Sequence, residues 1–363
     1  MRKRSLLVLV TLLALVLACR KDREEIPNPP ADPTAVSFNL QEAPYAVLSS
    51  YRFFTGPLAE LEPNAGVLPY DVITPLFSDY AHKKRFVWMP SGTSAHYVDD
   101  RTALDFPDGA VLIKNFYYEH VVPGDGQRIV ETRLLYRKAG HWRFANYIWN
   151  EEQTEAVLNP SALNVPVTWM DNGTPRTVNY RIPSEAECLT CHKNEAVPIP
   201  IGPKPQSMNM DYAYSDGVME QLAKWAQVGY LTGGYPATVD RVAKWDDPTE
   251  DMTRRVRAYL DMNCAHCHDD GRHCDYRPMR FAWSRTVDLQ NIGVCVAPDD
   301  PLPNNPELVY IVAAGNTNRS MLLHRLSTND ESERMPLLGR TVVHEEAVAL
   351  IHDWIQALSP PCN

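Results

Sequence analysis

The stretch MTRRVRAYLDMNCAHCH (residues 252–268) joins a helical pattern directly to two cysteines and a histidine. Its apolar residues recur at intervals of three and four, which is the spacing of one helix face: Met252, Val256, Tyr259 and Leu260. The helix predicted from Thr249 onward therefore leads straight into Cys264-Ala265-His266-Cys267-His268.

A matching segment, Cys188-Leu189-Thr190-Cys191-His192, lies earlier in the chain. Both segments have the pattern C-x-x-C-H, by which haem c is attached. Two thiols three positions apart can both bond to one edge of a porphyrin, and the next histidine then lies beneath the iron. The sequence predicts two haem c groups, bound through four cysteines and ligated by two histidines: Cys188, Cys191, Cys264, Cys267, His192 and His268.

Two other interpretations of these cysteines stay open at the level of sequence. A thioredoxin-like redox pair also has the C-x-x-C spacing, but it does not require the following histidine. A zinc site could be built from the four cysteines, but each histidine would then need a separate explanation.

The region after the second motif has further helical patterns. Residues 344–358 place six apolar residues on one face: Ala347, Val348, Ile351, Trp354, Ile355 and Leu358. A shorter helical run is predicted over 320–326, and Arg334-Met335-Pro336 lies between the two runs. Together these helices predict an all-α cytochrome c-like haem region.

Met335 is the predicted distal ligand of the second haem. A thioether favours ferrous iron and raises the reduction potential, and the proline that follows stiffens the loop. No comparable loop follows the first motif, so the distal ligand of the first haem stays open among several residues. Met208 is the first candidate, and the others are Met210, His82, His96 and His120. A helix predicted over 217–231 would cover this haem.

The preceding segment, residues 40–185, has the composition that is typical of β-strands. Runs at 110–118, 129–137, 141–149 and 176–182 are rich in β-branched and aromatic residues and are separated by turn signals. Because strands and helices do not alternate regularly, an antiparallel sandwich is the expected architecture.

The predicted fold class is therefore α+β multidomain: a mainly antiparallel, sandwich-like β domain is followed by an all-α cytochrome c-like haem region. The predicted divisions are a signal peptide (1–18), a proline-rich tether (19–39), the β-rich domain (40–185), a first haem-binding segment (186–245) and a cytochrome c-like domain with the second haem (246–363). In an oxidising compartment Cys274 and Cys295 could pair as a disulfide, which leaves Cys362 unassigned.

The N-terminus predicts export and lipidation. Arg2, Lys3 and Arg4 precede an apolar run over 6–18 that is too short to span a membrane and that ends at Cys19, as in a lipoprotein signal. We expect a lipid-anchored protein of the periplasm or outer membrane. The formal net charge of −10 disfavours nucleic acid as a partner, and redox proteins of the envelope are expected instead.

The first haem motif and nine other segments give the mature chain a resemblance to dihaem c-type cytochromes of bacterial envelopes. This family has an N-terminal β-rich domain and a C-terminal cytochrome c domain. Besides the first haem motif they are PYD (69–71), TPLFSDYA (74–81), KKRFVWMP (83–90), ETRLL (131–135), YIWN (147–150), IGPK (201–204), NCAHCH (263–268), RMP (334–336) and DWI (353–355). The resemblance implies two haems and electron transfer, but no substrate. Two departures are Met208, where leucine is expected, and the altered stretch that holds Cys274.

Three functions remain open, and an electron-transfer lipoprotein is the favoured one. The second is an envelope oxidoreductase or peroxidase with one open haem site. It is disfavoured because dihaem peroxidases devote most of their length to two cytochrome domains, whereas the first motif here begins only at Cys188. The third is a binding protein whose haems sense redox state.

Overall fold

A computed structural model describes residues 34–362 of the chain. The predicted signal peptide, the lipidation site Cys19 and most of the predicted tether lie outside these residues. Within them, no helix has both the length and the apolar character needed to cross a membrane. The described residues from Val36 onward belong to one compact unit. The predicted boundaries after residues 185 and 245 stay predictions.

The described residues contain sixteen strands. They are β1 (Phe54–Thr55), β2 (Glu62–Pro63), β3 (Leu68–Tyr70), β4 (His82–Trp88), β5 (Ala95–His96), β6 (Val111–Val121), β7 (Gly126–Lys138), β8 (His141–Trp149), β9 (Ala156–Leu158), β10 (Leu163–Asp171), β11 (Thr174–Ile182), β12 (Lys193–Asn194), β13 (Val197–Pro198), β14 (Asp211–Tyr214), β15 (Gly217–Glu220) and β16 (Leu231–Thr232). Eight of them form one antiparallel sheet in the order β11-β10-β6-β7-β8-β9, and β4 joins β3 to β6.

The same residues form six helices and four short 3-10 helices. The helices are α1 (Glu185–Cys191), α2 (Pro205–Met208), α3 (Gln221–Gln227), α4 (Met252–Asn263), α5 (Met321–Ser327) and α6 (Glu345–Ala357). The 3-10 helices are Leu48–Tyr51, Leu58–Glu60, Leu289–Ile292 and Thr317–Arg319.

The predicted fold class is wrong. The protein is mainly β, with one large antiparallel sheet rather than two facing sheets, and it has no all-α cytochrome c-like region among its described residues. The helices α4, α5 and α6 lie where helical periodicity was found. However, residues 264–320 between α4 and α5 contain only short 3-10 helices. This stretch is rich in Asp, Asn and Pro, which favour turns, and it carries no sustained helical pattern.

Individual elements were predicted better than their assembly. The four predicted strand runs correspond to β6, β7, β8 and β11. The turn between β10 and β11 consists of Asn172 and Gly173, which both have positive φ, as a two-residue hairpin turn requires. The helix predicted over 217–231 is wrong in its first part, because Gly217 begins a strand that pairs with β14 and α3 starts only at Gln221.

The central sheet is covered on both faces. Alternate residues of a strand point to opposite faces. Phe86, Ile113 and Leu134 therefore pack in one core with the preceding N-terminal segment, which contributes Leu48 and Tyr51. The alternate positions Val87, Leu112, Leu135 and Phe144 pack on the other face with Cys188, Met208 and Trp225. The first cysteine motif thus rests directly on the sheet.

His344 joins this sheet side to the C-terminal helices. Its ring stacks on Phe77 with 4.1 Å between the ring centroids, and its Nδ1 lies 3.2 Å from the hydroxyl of Tyr259. Burial lowers the pKa of His344 to about 4, although nearby Glu346 acts in the opposite direction.

We expect His344 to make the fold sensitive to acid. An unfolded histidine has a pKa of about 6.5, so between pH 6.5 and 4 the unfolded chain binds a proton that the folded chain excludes. Its stabilising contribution is complete above that window and declines as the pH falls through it. His344→Phe is expected to reduce this acid-dependent loss in the free energy of unfolding by up to about 3 kcal/mol. Urea titrations at pH 7 and pH 4.5 measure the effect.

The matched control is His352→Phe, because the side chain of His352 is about half exposed. This variant should retain the acid sensitivity of the parent chain. Equal loss of stability on acidification in the parent and in His344→Phe would contradict the assignment to His344.

Candidate functional site

The first cysteine motif is positioned by a capped helix. The Ser184 hydroxyl accepts a hydrogen bond from the backbone N–H of Glu187, and the Glu187 carboxylate accepts one from the backbone N–H of Ser184 at 2.8 Å. This reciprocal pair fixes the start of α1. Glu187 also forms an ion pair with Arg181 of β11. The sheet edge thereby orients α1, which carries Cys188 and Cys191 one turn apart.

The second motif directly follows α4. The Asp251 side chain accepts a hydrogen bond from the backbone N–H of Arg254 at 2.9 Å and so caps the start of the helix. Val256 and Leu260 anchor the buried face of α4 against Ile351 of α6. Cys264 follows the last helical residue, as the sequence predicted.

The four motif cysteines are free thiols in this structure. Cys188 and Cys264, the first cysteine of each motif, are buried, and burial raises the pKa of both thiols, that of Cys264 to about 12. A thioredoxin-like pair instead needs an accessible first cysteine with a depressed pKa. The geometry therefore argues against the redox-pair interpretation.

The first motif opens into a cleft, here named the His192 pocket, between the sheet and α4. Its walls include Leu112, Leu135 and Tyr259, together with Cys188 and Cys191. The empty space, counted with its opening to solvent, is about 1180 Å³. The lining is mainly apolar, as is usual for small-molecule sites.

The imidazole of His192 has the tautomer and the protonation state that a metal ligand needs. Its Nδ1 lies 3.0 Å from the backbone carbonyl oxygen of Ile199, which favours the tautomer with hydrogen on Nδ1. Burial lowers the pKa of His192 to about 4. The ring is therefore neutral at pH 7, and the lone pair on Nε2 is available to a ligand.

The second motif opens into its own cleft, the His268 pocket. Cys264, Cys267 and His268 line it with the apolar side chains of Phe281 and Leu322, and its empty space including the opening is about 1060 Å³. Burial lowers the pKa of His268 to about 4. The buried Nδ1 of this ring has no hydrogen-bond partner among the described residues.

These features fit haem c. Each pocket offers a pair of thiols, a neutral imidazole and predominantly apolar walls, which are the groups that hold haem c in a protein.

A row of polar side chains crosses the sheet on the side of the His192 pocket. The strand register places Arg85, Lys114, Arg133 and Asn146 side by side on β4, β6, β7 and β8. Arg85 is paired with Asp71, and Arg133 is paired with the fully buried Glu131.

Among the three basic residues of this row, Lys114 differs from the two arginines because it has no ion-pair partner among the described residues. Burial lowers the pKa of Lys114 well below its usual value. Lys114 and Arg133 both line the pocket and place N–H donors on one of its walls, which suits a ligand that carries carboxylates.

The two pockets meet at the second cysteine of each motif. The Sγ atoms of Cys191 and Cys267 are 3.9 Å apart, and the hydrogen bond from Cys267 lowers the pKa of Cys191. His266 lines both pockets, and its ring offers a ligand atom within 4.8 Å of both sulfur atoms. This trio could hold a metal ion. The four-cysteine zinc site is not assembled, because Cys188 and Cys264 lie outside the trio.

The candidate distal ligands fall into two groups. Met335, the predicted ligand of the second haem, lines the His268 pocket, and Met279 and Met321 line it as well. No methionine is among the described residues that line the His192 pocket.

The five candidates for the first haem all lie elsewhere. Met208 is fully buried beside Trp225, and Met210 packs against Ile73 and Val242. His82 contacts the ring of Tyr117, His96 lies 3.2 Å from the carbonyl oxygen of Thr232, and His120 pairs with Asp125. The structure does not bring any of the five to His192.

The predicted disulfide between Cys274 and Cys295 is wrong. Cys295 is bonded to Cys362, with 5.3 Å between the Cα atoms, and Cys274 is a buried free thiol in the His268 pocket. Sequence spacing alone does not determine pairing, which depends on the distance between Cα atoms in the fold.

Sequence reasoning missed three lining residues that matter for the chemistry: Lys114, Arg133 and His266. The first two could have been noticed, because alternation in β6 and β7 places a charge on the same face as Leu112 and Leu135. His266 lies between the cysteines of the second motif, but the sequence gives no indication that its ring faces both pockets.

No family model matches the chain, and no curated protein or solved structure matches it either. These comparisons therefore do not bear on the resemblance to dihaem cytochromes. The functional inference depends on the geometry of the two pockets.

Proposed function

We propose that this chain is a dihaem c-type cytochrome that carries electrons. Haem c would be attached to Cys188 and Cys191 in the His192 pocket and to Cys264 and Cys267 in the His268 pocket. The observation that carries the proposal is that the same donor set occurs twice: each motif lines a largely apolar pocket with two thiols and a neutral imidazole.

The residues of each pocket have distinct tasks in this proposal. Bound haem supplies reversible one-electron chemistry. The cysteines would hold the edge of each haem through thioether bonds, and the imidazoles of His192 and His268 would bind the iron. The apolar walls keep water away, which limits the charge rearrangement that accompanies each electron. In the second pocket the thioether of Met335 would favour the ferrous state.

We also propose the cellular setting that the sequence predicts. The protein would be a lipoprotein of the bacterial envelope, anchored through Cys19 in the periplasm or at the outer membrane, and related to the envelope dihaem cytochromes. Attachment of haem c and the disulfide between Cys295 and Cys362 both suit an oxidising, extracytoplasmic compartment. Its partners would be redox proteins, and the excess of acidic residues favours a cationic docking surface on them.

One observation favours a second candidate, an oxidoreductase with an open haem. The described lining of the His192 pocket contains no methionine, whereas that of the His268 pocket contains three. An open iron site would suit a small oxidant. The electron carrier remains the preferred function, because the second pocket offers a complete set of ligands.

Haem content and spin state test the proposal. Chain produced in a host that attaches haem c should retain two haem equivalents by mass after denaturation, and the denatured band should stain for haem peroxidase activity. Retention of no haem, or of one equivalent, would contradict it. Two low-spin ferric signals that do not change with cyanide would support the carrier, whereas a high-spin signal that binds cyanide would favour the oxidoreductase.

A further inference from the structure

The two cysteine motifs are held together by three contacts between the segments around them. Lys204, which follows the first motif, forms a salt bridge with Asp261 of α4 at 2.7 Å, and the Asp261 side chain is nearly fully buried. Beyond the second motif, Arg272 donates a hydrogen bond to the carbonyl oxygen of Lys193 at 2.9 Å. The backbone N–H of Glu195 donates one to Gly271. The motifs therefore form one rigid assembly although 76 residues separate Cys191 from Cys267.

Within this assembly the closest approach of the motifs is through sulfur. The 3.9 Å between the Sγ atoms of Cys191 and Cys267 corresponds to van der Waals contact, so no other side chain can lie between them. Both cysteines are half-buried, and Cys191 lines both pockets. In contrast, Cys188 and Cys264 are buried separately, the former against the sheet and the latter in the C-terminal core.

We propose that Cys191 and Cys267 form the electronic link between the two haem sites. This inference rests on the proposed function, because the sulfurs conduct only when both are bonded to haem. One electron crosses per event: iron in one site is oxidised from ferrous to ferric, and iron in the other is reduced from ferric to ferrous. No bond breaks and no proton moves. The two sites would then act as one redox unit, because an electron delivered to either site can be transferred to the other.

The decisive experiment compares two single-thioether variants. Cys191→Ala and Cys188→Ala each remove one of the two bonds to the first haem, but only Cys191→Ala removes a sulfur of the proposed link. The readout is the rate at which an electron, injected by flash photoreduction into the fully ferric protein, equilibrates between the sites. We expect Cys191→Ala to slow this step while Cys188→Ala stays close to the parent rate. Equal rates in the two variants would overturn the link.

The reciprocal pair, Cys267→Ala against Cys264→Ala, repeats the comparison from the second site and guards against a variant that does not fold. The parent protein supplies an independent readout. Reduction of one site should weaken the electron affinity of the other by about tenfold, a separation of 59 mV in a potentiometric titration. Ferric signals in frozen solution should also show magnetic interaction between the sites.

Haem content separates failure of the link from failure of the proposed function. Two haem equivalents per chain with independent potentials and no magnetic interaction would overturn the link alone. A chain that retains no haem would overturn both, since no redox unit would then exist.

Discussion

Replacement of Cys264 and Cys267 by serine is expected to halve the covalently bound haem, from two equivalents per chain to one. Each pocket has a first cysteine and a histidine of its own motif, Cys188 and His192 in one and Cys264 and His268 in the other, so loss of one attachment site should leave the other intact. Attachment requires the thiols because serine cannot form the thioether bond. The mass of the denatured chain and its haem absorbance measure the result.

The matched control is Cys274→Ser. Cys274 is also a buried free thiol of the His268 pocket, but it lies outside the C-x-x-C-H pattern. This variant should retain both haems, and the reciprocal replacement of Cys188 and Cys191 should again leave one. Unchanged haem content after replacement of Cys264 and Cys267 would show that the second motif does not attach haem.

Met335→Ala is expected to lower the reduction potential of the second site by roughly 100 mV, because axial ligands set haem potentials over about 0.8 V and a thioether favours the ferrous state. The backbone of Met335 is fixed on both sides: its N–H donates to the carbonyl oxygen of Arg325 at 2.8 Å, and its own carbonyl oxygen accepts from Arg340. The side chain lines the His268 pocket. Potentiometric titration of the parent and the variant measures the shift.

Met279→Ala serves as the control, since Met279 is a second thioether in the same pocket. It should leave the potential nearly unchanged. If Met279→Ala lowers the potential and Met335→Ala does not, the distal ligand is Met279.

The local elements could be predicted from the sequence because each depends on a short pattern. Runs rich in β-branched and aromatic residues identified β6, β7 and β8, and helical spacing identified α4 and α6. These features require only neighbours in sequence. The role of Met335 as a distal ligand stays a prediction, and the structure places its side chain in the lining of the pocket that holds His268.

Features that depend on tertiary pairing could not be predicted. The register that aligns Lys114 with Arg133 and the bond from Cys295 to Cys362 both join distant residues. Met208 shows the same limit: the sequence places it near the first motif, but the fold buries it beside Trp225. The contact between Cys191 and Cys267 likewise joins two residues that are 76 positions apart in the sequence.

The salt bridge between Lys204 and Asp261 has a consequence for thermal denaturation. Removal of one partner of a buried ion pair typically costs about 3–5 kcal/mol, because the remaining charge is left uncompensated. Lys204 follows the first motif and Asp261 precedes the second. Unfolding of either segment therefore leaves the charged residue of the other segment without its partner. Both pockets should therefore be lost in a single cooperative calorimetric transition, not in two successive ones.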